Sequence, residues 1–199
     1  MNIETLFVSR PEFETARLYL RKLELTDAPD FYSFASDPLL TEHVKWDYHR
    51  SIADTEAFLA LLDQRFEARH SYNWAIIEKT SGGVIGRICC FLFDEDNDSM
   101  EFGYAVGRAY WGQGIGTEAS EALIPYVFRE LGVNRLEARC NEENIASERV
   151  MQKIGMTFEG LMRQQLKMDG GYKSQKLYAM LKSDWAEKEG SQRNDFGLI

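Results

Sequence analysis

The sequence predicts a mixed α/β fold in which one layer of mostly antiparallel sheet carries helices. Three observations lead there. At 199 residues, 44% hydrophobic and 13% aromatic, the chain can bury a full-sized core without disulfide or metal staples. Segments of strand period joined by a glycine turn occupy its middle, and strand-like segments alternate with helix-like ones after them. No internal repeat or low-complexity linker divides it, so residues 1–199 are expected to form a single domain.

The first element is a strand over residues 16–23, where Leu18, Tyr19 and Leu20 alternate with arginines as in a half-buried strand. Thr26 and Asp27 supply helix-starting oxygens, Phe31, Phe34 and Ala35 recur at helical spacing, and Asp37-Pro38 stops the helix. A second helix begins near Ser51 with an apolar stripe of Ala57, Phe58, Leu61, Leu62 and Phe66. From Asn73 the period is that of strands: residues 73–77 and 84–93 flank the turn Thr80-Ser-Gly-Gly83. A further strand over 100–106 enters a glycine-rich segment, and a helix over 117–131 follows with Ala119, Ala122, Leu123, Tyr126 and Val127 as its stripe. Pro125 lies inside that helix, so a kink is expected. Leu136, Ala138 and Cys140 alternate as a short strand, and residues 141–155 read as a loop and a helix closed by Gly155. Residues 157–163 and 175–181 are the closing strands around Asp169-Gly-Gly171, while residues 1–12 and 188–199 are expected to be loosely ordered ends.

Charge and special residues narrow the function. With 23 Lys and Arg against 32 Asp and Glu, the net charge of -9 offers no field for nucleic acid and favours cationic amines or basic proteins as partners. No stretch reaches the ~20 apolar residues that cross a bilayer, and the opening lacks the basic-then-apolar order of a signal peptide. A cytoplasmic protein without membrane contact is expected, as monomer or homodimer. Cys89, Cys90 and Cys140 read as reduced core thiols. No metal is expected: His43, His49 and His70 lack zinc spacing, Cys89-Cys90 is no Cys-x-x-Cys pair, and the acidic run 94–98 has Ser99 and Ala105 where a calcium loop needs glycine and glutamate.

Chemistry concentrates in Glu101-Phe-Gly-Tyr-Ala-Val106 and Trp111-Gly-Gln-Gly-Ile-Gly116-Thr117, where a strand feeds a helix through three glycines. Glycine lets the backbone approach a ligand closely, and the unpaired N–H groups of a helix start favour a pyrophosphate. The segment has no Gly-Lys-Ser/Thr ending of a nucleoside triphosphate loop, and its glycine spacing and mid-chain position are not those of a dinucleotide fold.

The stretch Tyr110-Trp-Gly-Gln-Gly-Ile-Gly-Thr-Glu-Ala119 resembles the acyl-CoA-binding motif of the GNAT acetyltransferases. Three further segments agree in order. Thr15-Ala-Arg17-Leu-x-Leu-Arg21 with Asp27 resembles the opening of the RimJ/RimL branch, which acetylates the α-amino group of ribosomal proteins, and Glu101-Phe-Gly-Tyr104 resembles its central strand. Asn141-x-x-Asn144-x-x-Ser147, leading to Lys153-Ile-Gly155-Met and Glu159-Gly160, is similar to its second cofactor motif. Together they span residues 15–185.

The resemblance implies a mixed, mostly antiparallel sheet with helices on both faces and a central strand that splays from the next at a bulge. Acetyl-CoA is then the co-substrate. Backbone N–H groups of Trp111, Gly112, Gln113, Gly114, Ile115, Gly116 and Thr117 would hold its pyrophosphate, and Tyr104 and Val106 on the strand would flank the pantetheine arm. Asn144 matches a position that touches that arm, and Asn is equally a good helix N-cap. Ser147 falls near the sulfur. Many members carry a tyrosine as thiolate acid where Met151 stands here, so Ser147 is the substitute candidate, with a helix-start role as the alternative.

Acetyl transfer needs a neutral amine, donors for the oxyanion and a proton for the thiolate. A protein α-amino group, with a reference pKa of about 7.7–8.0, is partly neutral already, so a weak base suffices. Glu101 is the candidate base. Five positions separate it from Val106, so on a regular strand the two face opposite sides, and only a bulge would bring them to one side. A structural Glu101 paired with an arginine or lysine is the alternative. Trp46 and Tyr48 are candidates for an acceptor pocket or for plain packing. A small-molecule amine as acceptor, a non-catalytic acyl-CoA-binding regulator and a flavin- or nucleotide-binding module remain open at this point.

Overall fold

A computed structural model describes residues 1–42, 44, 46–168 and 170–195. Its strands are β1 (Phe13–Glu14), β2 (Leu18–Lys22), β3 (Ser71–Glu78), β4 (Val84–Asp94), β5 (Ser99–Val106), β6 (Arg135–Asn141), β7 (Thr157–Met168) and β8 (Gly171–Leu181). They form one sheet in the order β1-β2-β3-β4-β5-β6-β8-β7, antiparallel at every junction except β5 with β6. The α-helices of the described residues are α1 (Glu4–Ser9), α2 (Ala28–Ala35), α3 (Pro38–Thr41), α4 (Ile52–Glu67), α5 (Ile115–Arg129), α6 (Ile145–Lys153) and α7 (Lys182–Asp195), with 3-10 turns at Leu25–Asp27 and Arg108–Tyr110. None of these helices is long and apolar enough to cross a membrane.

Each face of the sheet carries its own core. On one face Leu18, Leu20, Trp74, Ile76, Ile88 and Phe102 pack with Ala119, Leu123 and Val127 of α5 and with Met151 of α6. On the other, Ala75 and Val84 pack with Phe31 and Phe34 of α2 and with Leu59 and Leu62 of α4. The alternation of a strand's side chains divides these sets. Helix α4 starts where Ser51 Oγ accepts the Asp54 N–H at 3.3 Å and Asp54 returns a bond to the Ser51 N–H at 2.9 Å, a reciprocal cap.

Two expectations need correction. The buried stripe of α4 is Thr55, Leu59, Leu62 and Phe66, whereas Ala57 is exposed and Leu61 is 42% exposed. Its phase is set partly by buried His49, whose Nδ1 lies 2.8 Å from Thr55 Oγ1, a pairing that apolar periodicity does not register. The amino-terminal segment is not loose: Leu6 of α1 is fully buried, and the Asn2 N–H donates to Leu131 O at 2.7 Å. At the other end α7 runs to Asp195, with Trp185 stacked on Phe128 at 5.5 Å, and residues 196–199 of the end expected to loosen lie outside the described residues. Helix α5 continues through Pro125 to Arg129.

Candidate active site

The ladder between β4 and β5 runs in unbroken register from Gly86↔Val106 to Phe91↔Glu101. Strand β5 pairs with β6 only at Ser99↔Arg135, Met100↔Leu136 and Glu101↔Glu137, after which β6 continues on β8 alone. A gap therefore opens between residues 102–106 and 138–141. The Gly107 N–H donates to Ile85 O at 2.8 Å, which by antiparallel alternation turns the N–H and C=O groups of Tyr104 and Val106 away from β4 and into the gap. The resemblance implied a bulge where the strands part. The irregularity lies instead between Phe91 and Asp94 on the β4 side, and β5 leaves β6 with its own ladder intact.

At the end of β5 the chain turns through Gly112 and Gly114, at φ +74° and +79°, into α5. Side chains rarely adopt that region, which is the physical reason for glycine at both positions. The first bond of the helix joins the Glu118 N–H to Gly114 O at 3.0 Å. The N–H groups of Gly114, Ile115, Gly116 and Thr117 precede it and are the orphan donors of a helix start, open to an anion. The Gln113 side chain donates to Ala109 O at 2.8 Å, which leaves only its backbone facing the turn's open side. The Trp111 indole N–H is likewise spent, on Val106 O at 2.7 Å, so one of the strand's acceptors in the gap is already taken.

Arg17 braces this turn. Its Nη1 donates to Gln113 O at 2.9 Å and its Nε to Glu118 Oε2 at 2.7 Å, while Thr15 Oγ1 donates to Glu118 Oε1 at 2.5 Å. Burial alone would raise the Glu118 pKa, but the hydrogen bonds from Thr15 and Arg17 outweigh it and hold the carboxyl below its ordinary value. Arg17 sits in the motif quoted above, yet its distance along the chain from residue 113 hid this role. Arg17→Ala is expected to weaken coenzyme A binding about fivefold, as the loss of a half-exposed charged hydrogen bond of ~1 kcal/mol implies, and titration calorimetry would measure it.

Beside the gap, Tyr104 Oη lies 3.0 Å from Ser147 Oγ in the first turn of α6. A Cβ on Gly116 would come within 3.1 Å of the Tyr104 ring, so that glycine makes room for the tyrosine. Burial pushes the Tyr104 pKa up to about 12 despite the bond with Ser147. Asn144 Oδ1 accepts the Ser147 N–H at 3.0 Å, and Asn144 is thus the N-cap of α6. Met151 is 1% exposed in the core. Cys140 is free and buried, and burial pushes its thiol up to about 11.

Glu101 and Ser147 are not brought together. On the regular strand β5 the side chains of Glu101 and Tyr104 leave opposite faces, and no bulge between residues 101 and 106 turns Glu101 to the other side. Glu101 is 6% exposed, with Oε2 3.4 Å from Arg139 Nε. Arg139 also reaches Glu137 at 3.1 Å, and Arg135 reaches Glu137 at 2.7 Å and binds Glu159, so an alternating row of charges ends at Glu101 where the gap begins. This arginine row depends on strand register and was invisible to motif spacing.

The other candidates divide. Trp46 packs with Phe31, His49 and Phe58 at ring distances of 5.2 to 6.2 Å and belongs to the second core. Tyr48 is 40% exposed, with the Arg50 guanidinium 5.8 Å from its ring. His43 and Asp169 lie outside the described residues. Among the described residues no group of three or more His, Cys, Asp and Glu is placed to hold a metal ion.

Comparison with known proteins fits this geometry. The family model described as acetyltransferase (GNAT) domain matches residues 17–157. The chain is 31% identical to the uncharacterized N-acetyltransferase p20 of Bacillus licheniformis, over 86% of this chain and 97% of that protein. It is 30% identical to the [ribosomal protein uS5]-alanine N-acetyltransferase of Escherichia coli, over 89% and 94%. Among solved structures, the ribosomal α-N-protein acetyltransferase RimL in complex with coenzyme A superposes with a TM-score of 0.78 at 20% identity, covering 86% of this chain and 98% of that one.

Proposed function

The chain belongs to the GNAT acetyltransferase family and is an acetyl-CoA-dependent N-acetyltransferase, and on that premise we propose that its acceptor is the N-terminal α-amino group of a protein, a ribosomal protein first among candidates. The observation that carries the cofactor side is the gap beside β5, closed at one end by the free N–H groups of a glycine turn. Those amides take the diphosphate of acetyl-CoA, and the N–H of Val106 with the backbone of Tyr104 meets the pantetheine arm. The acceptor side rests on the relative that acetylates ribosomal protein uS5 and on the acidic balance of the chain.

In this reading the neutral amine attacks the thioester carbonyl, the N–C bond forms and the C–S bond breaks. The ammonium proton passes to Glu101 directly or through one water, and Ser147 donates a hydrogen bond to the departing sulfur. Because the Tyr104 ring and α6 close one face of β5, the amine arrives from the face that carries Glu101 and Arg139.

Thermal melting with coenzyme A tests the cofactor side. A ligand at 100 times its Kd adds about 2.7 kcal/mol, about 5–10 °C for a chain of this length, and no shift at saturating ligand would end the assignment. Incubation with acetyl-CoA and ribosomal proteins beside a panel of small amines tests the acceptor. Mass-shifted protein N-termini support the proposal, and acetylation confined to the small amines overturns it.

A further inference from the structure

We propose that Tyr104 is a positioning residue for acyl transfer: its phenol O–H donates to Ser147 Oγ and thereby turns the Ser147 O–H into the gap, where it stabilises the sulfur as negative charge develops. The inference rests on the acetyl-transfer reading above and adds to it a residue on a different element, 43 positions away in the chain.

The argument begins with the ambiguity of a hydroxyl. A serine O–H rotates to suit its surroundings and is equally content to donate to a neighbouring carbonyl, so a serine beside a reacting sulfur is a poor donor unless something fixes its proton. Tyr104 supplies that constraint. Its Oη is 3.0 Å from Ser147 Oγ and 3.4 Å from the Ser147 carbonyl, so the side-chain oxygen is the better acceptor for the phenol proton. Once Ser147 Oγ accepts from the phenol, its own proton is released from that contact, and in the proposed arrangement it is aimed into the gap.

Both partners are held. The Tyr104 ring fills the space that a side chain at Gly116 would need, with ring atoms at 3.1 to 3.6 Å from that position, and Asn144 fixes the backbone of Ser147 by capping it at 3.0 Å. With its pKa up to about 12, the phenol keeps its proton through any working pH and stays a donor. Fixed donors aimed at developing charge cost no reorganisation when the reaction occurs. The protons balance without net transfer from this pair: the amine releases one, the thiolate takes one from solvent, and Tyr104 and Ser147 end as they began.

The test is a two-residue cycle. Tyr104→Phe keeps the ring on Gly116 and removes one oxygen. Its kcat is expected to fall about tenfold, as the Ser147 hydrogen bond to the charged sulfur loses its fixed direction, with coenzyme A affinity and KM for acetyl-CoA within twofold of the parent. Ser147→Ala is expected to lose at least as much, and the double variant no more than Ser147→Ala alone, because the phenol acts only through the serine. Full kcat in either single variant, or losses that multiply in the double variant, overturns the proposal. Unchanged kcat in Ser147→Ala is fatal to the proposal whether or not Tyr104→Phe folds. Coenzyme A-induced stabilisation of the parent, read in parallel, separates this failure from failure of the acetyltransferase assignment.

Discussion

Glu101→Gln is expected to lower kcat about 10²-fold while leaving the affinity for coenzyme A and the melting temperature close to those of the parent. The size follows from what a base contributes to an amine that is already partly neutral, at the low end of the range for general acid–base catalysis. Glutamine keeps the shape and one acceptor oxygen for Arg139, whose Nε lies 3.4 Å from the carboxylate, so the row of charges through Glu137 and Arg135 loses little. A purely structural Glu101 gives a different result: kcat stays within threefold of the parent, because the contact with Arg139 and the row behind it are the same in both readings. The pH profile adds a second discriminator. The rate should rise with pH toward a plateau above about 8 as the α-amino group loses its proton, and that rising limb belongs to the acceptor. Glu101→Gln should therefore keep the limb and lower the plateau. On a lysine side chain the rise would extend toward about 10.4, so the same measurement also reports the acceptor class.

In the proposed mechanism the opposite faces of β5 divide the labour of the reaction, and this arrangement was only half legible in the sequence. The odd spacing from Glu101 to Val106 already placed them on opposite sides of a regular strand, and the ladder to β4 confirms that regularity. The spacing could not say that the second face holds Tyr104 against Ser147, because the two residues meet only when α6 packs beside the gap. Elements with strong periodicity or glycine punctuation, such as β3, β4 and the turn into α5, were readable because their local conformation and their burial ask for the same residues. Helix α1 was not. Six residues are too few to show a period, and what orders them is Leu6 and Phe7 entering the core beside Tyr72 and Phe66. The stripe of α4 was misphased for a related reason, since polar Thr55 is buried by its bond to His49 while apolar Leu61 faces outward. Arg17 stood inside a recognised motif, yet its grip on Gln113 is a contact between distant segments that no spacing encodes.

Gly86→Ala is expected to destabilise the protein by about 3 kcal/mol, the upper part of the cost of overpacking a filled site, and to lower the melting temperature by roughly 10 °C. A Cβ at this position would lie 2.5 Å from Ala105 O and 3.0 Å from the Val106 Cα. Both are backbone atoms, so no flexible side chain can move to relieve the clash, and β4 must draw away from β5. The register pairs Gly86 with Val106, the residue whose N–H opens into the gap and whose carbonyl takes the Trp111 indole. Pushing β5 at that point displaces the wall along which the pantetheine arm is proposed to run, so the coenzyme A-induced shift in melting should shrink along with the melting temperature. Gly160→Ala is the matched control. Its Cβ would meet nothing within 4 Å and its backbone is not left-handed, so the change should stay within about 0.5 kcal/mol. Equal melting temperatures for the two variants would show that β4 and β5 are not pressed together at Gly86. A large loss of stability with an undiminished coenzyme A shift would show instead that the wall beside Val106 plays no part in holding the ligand.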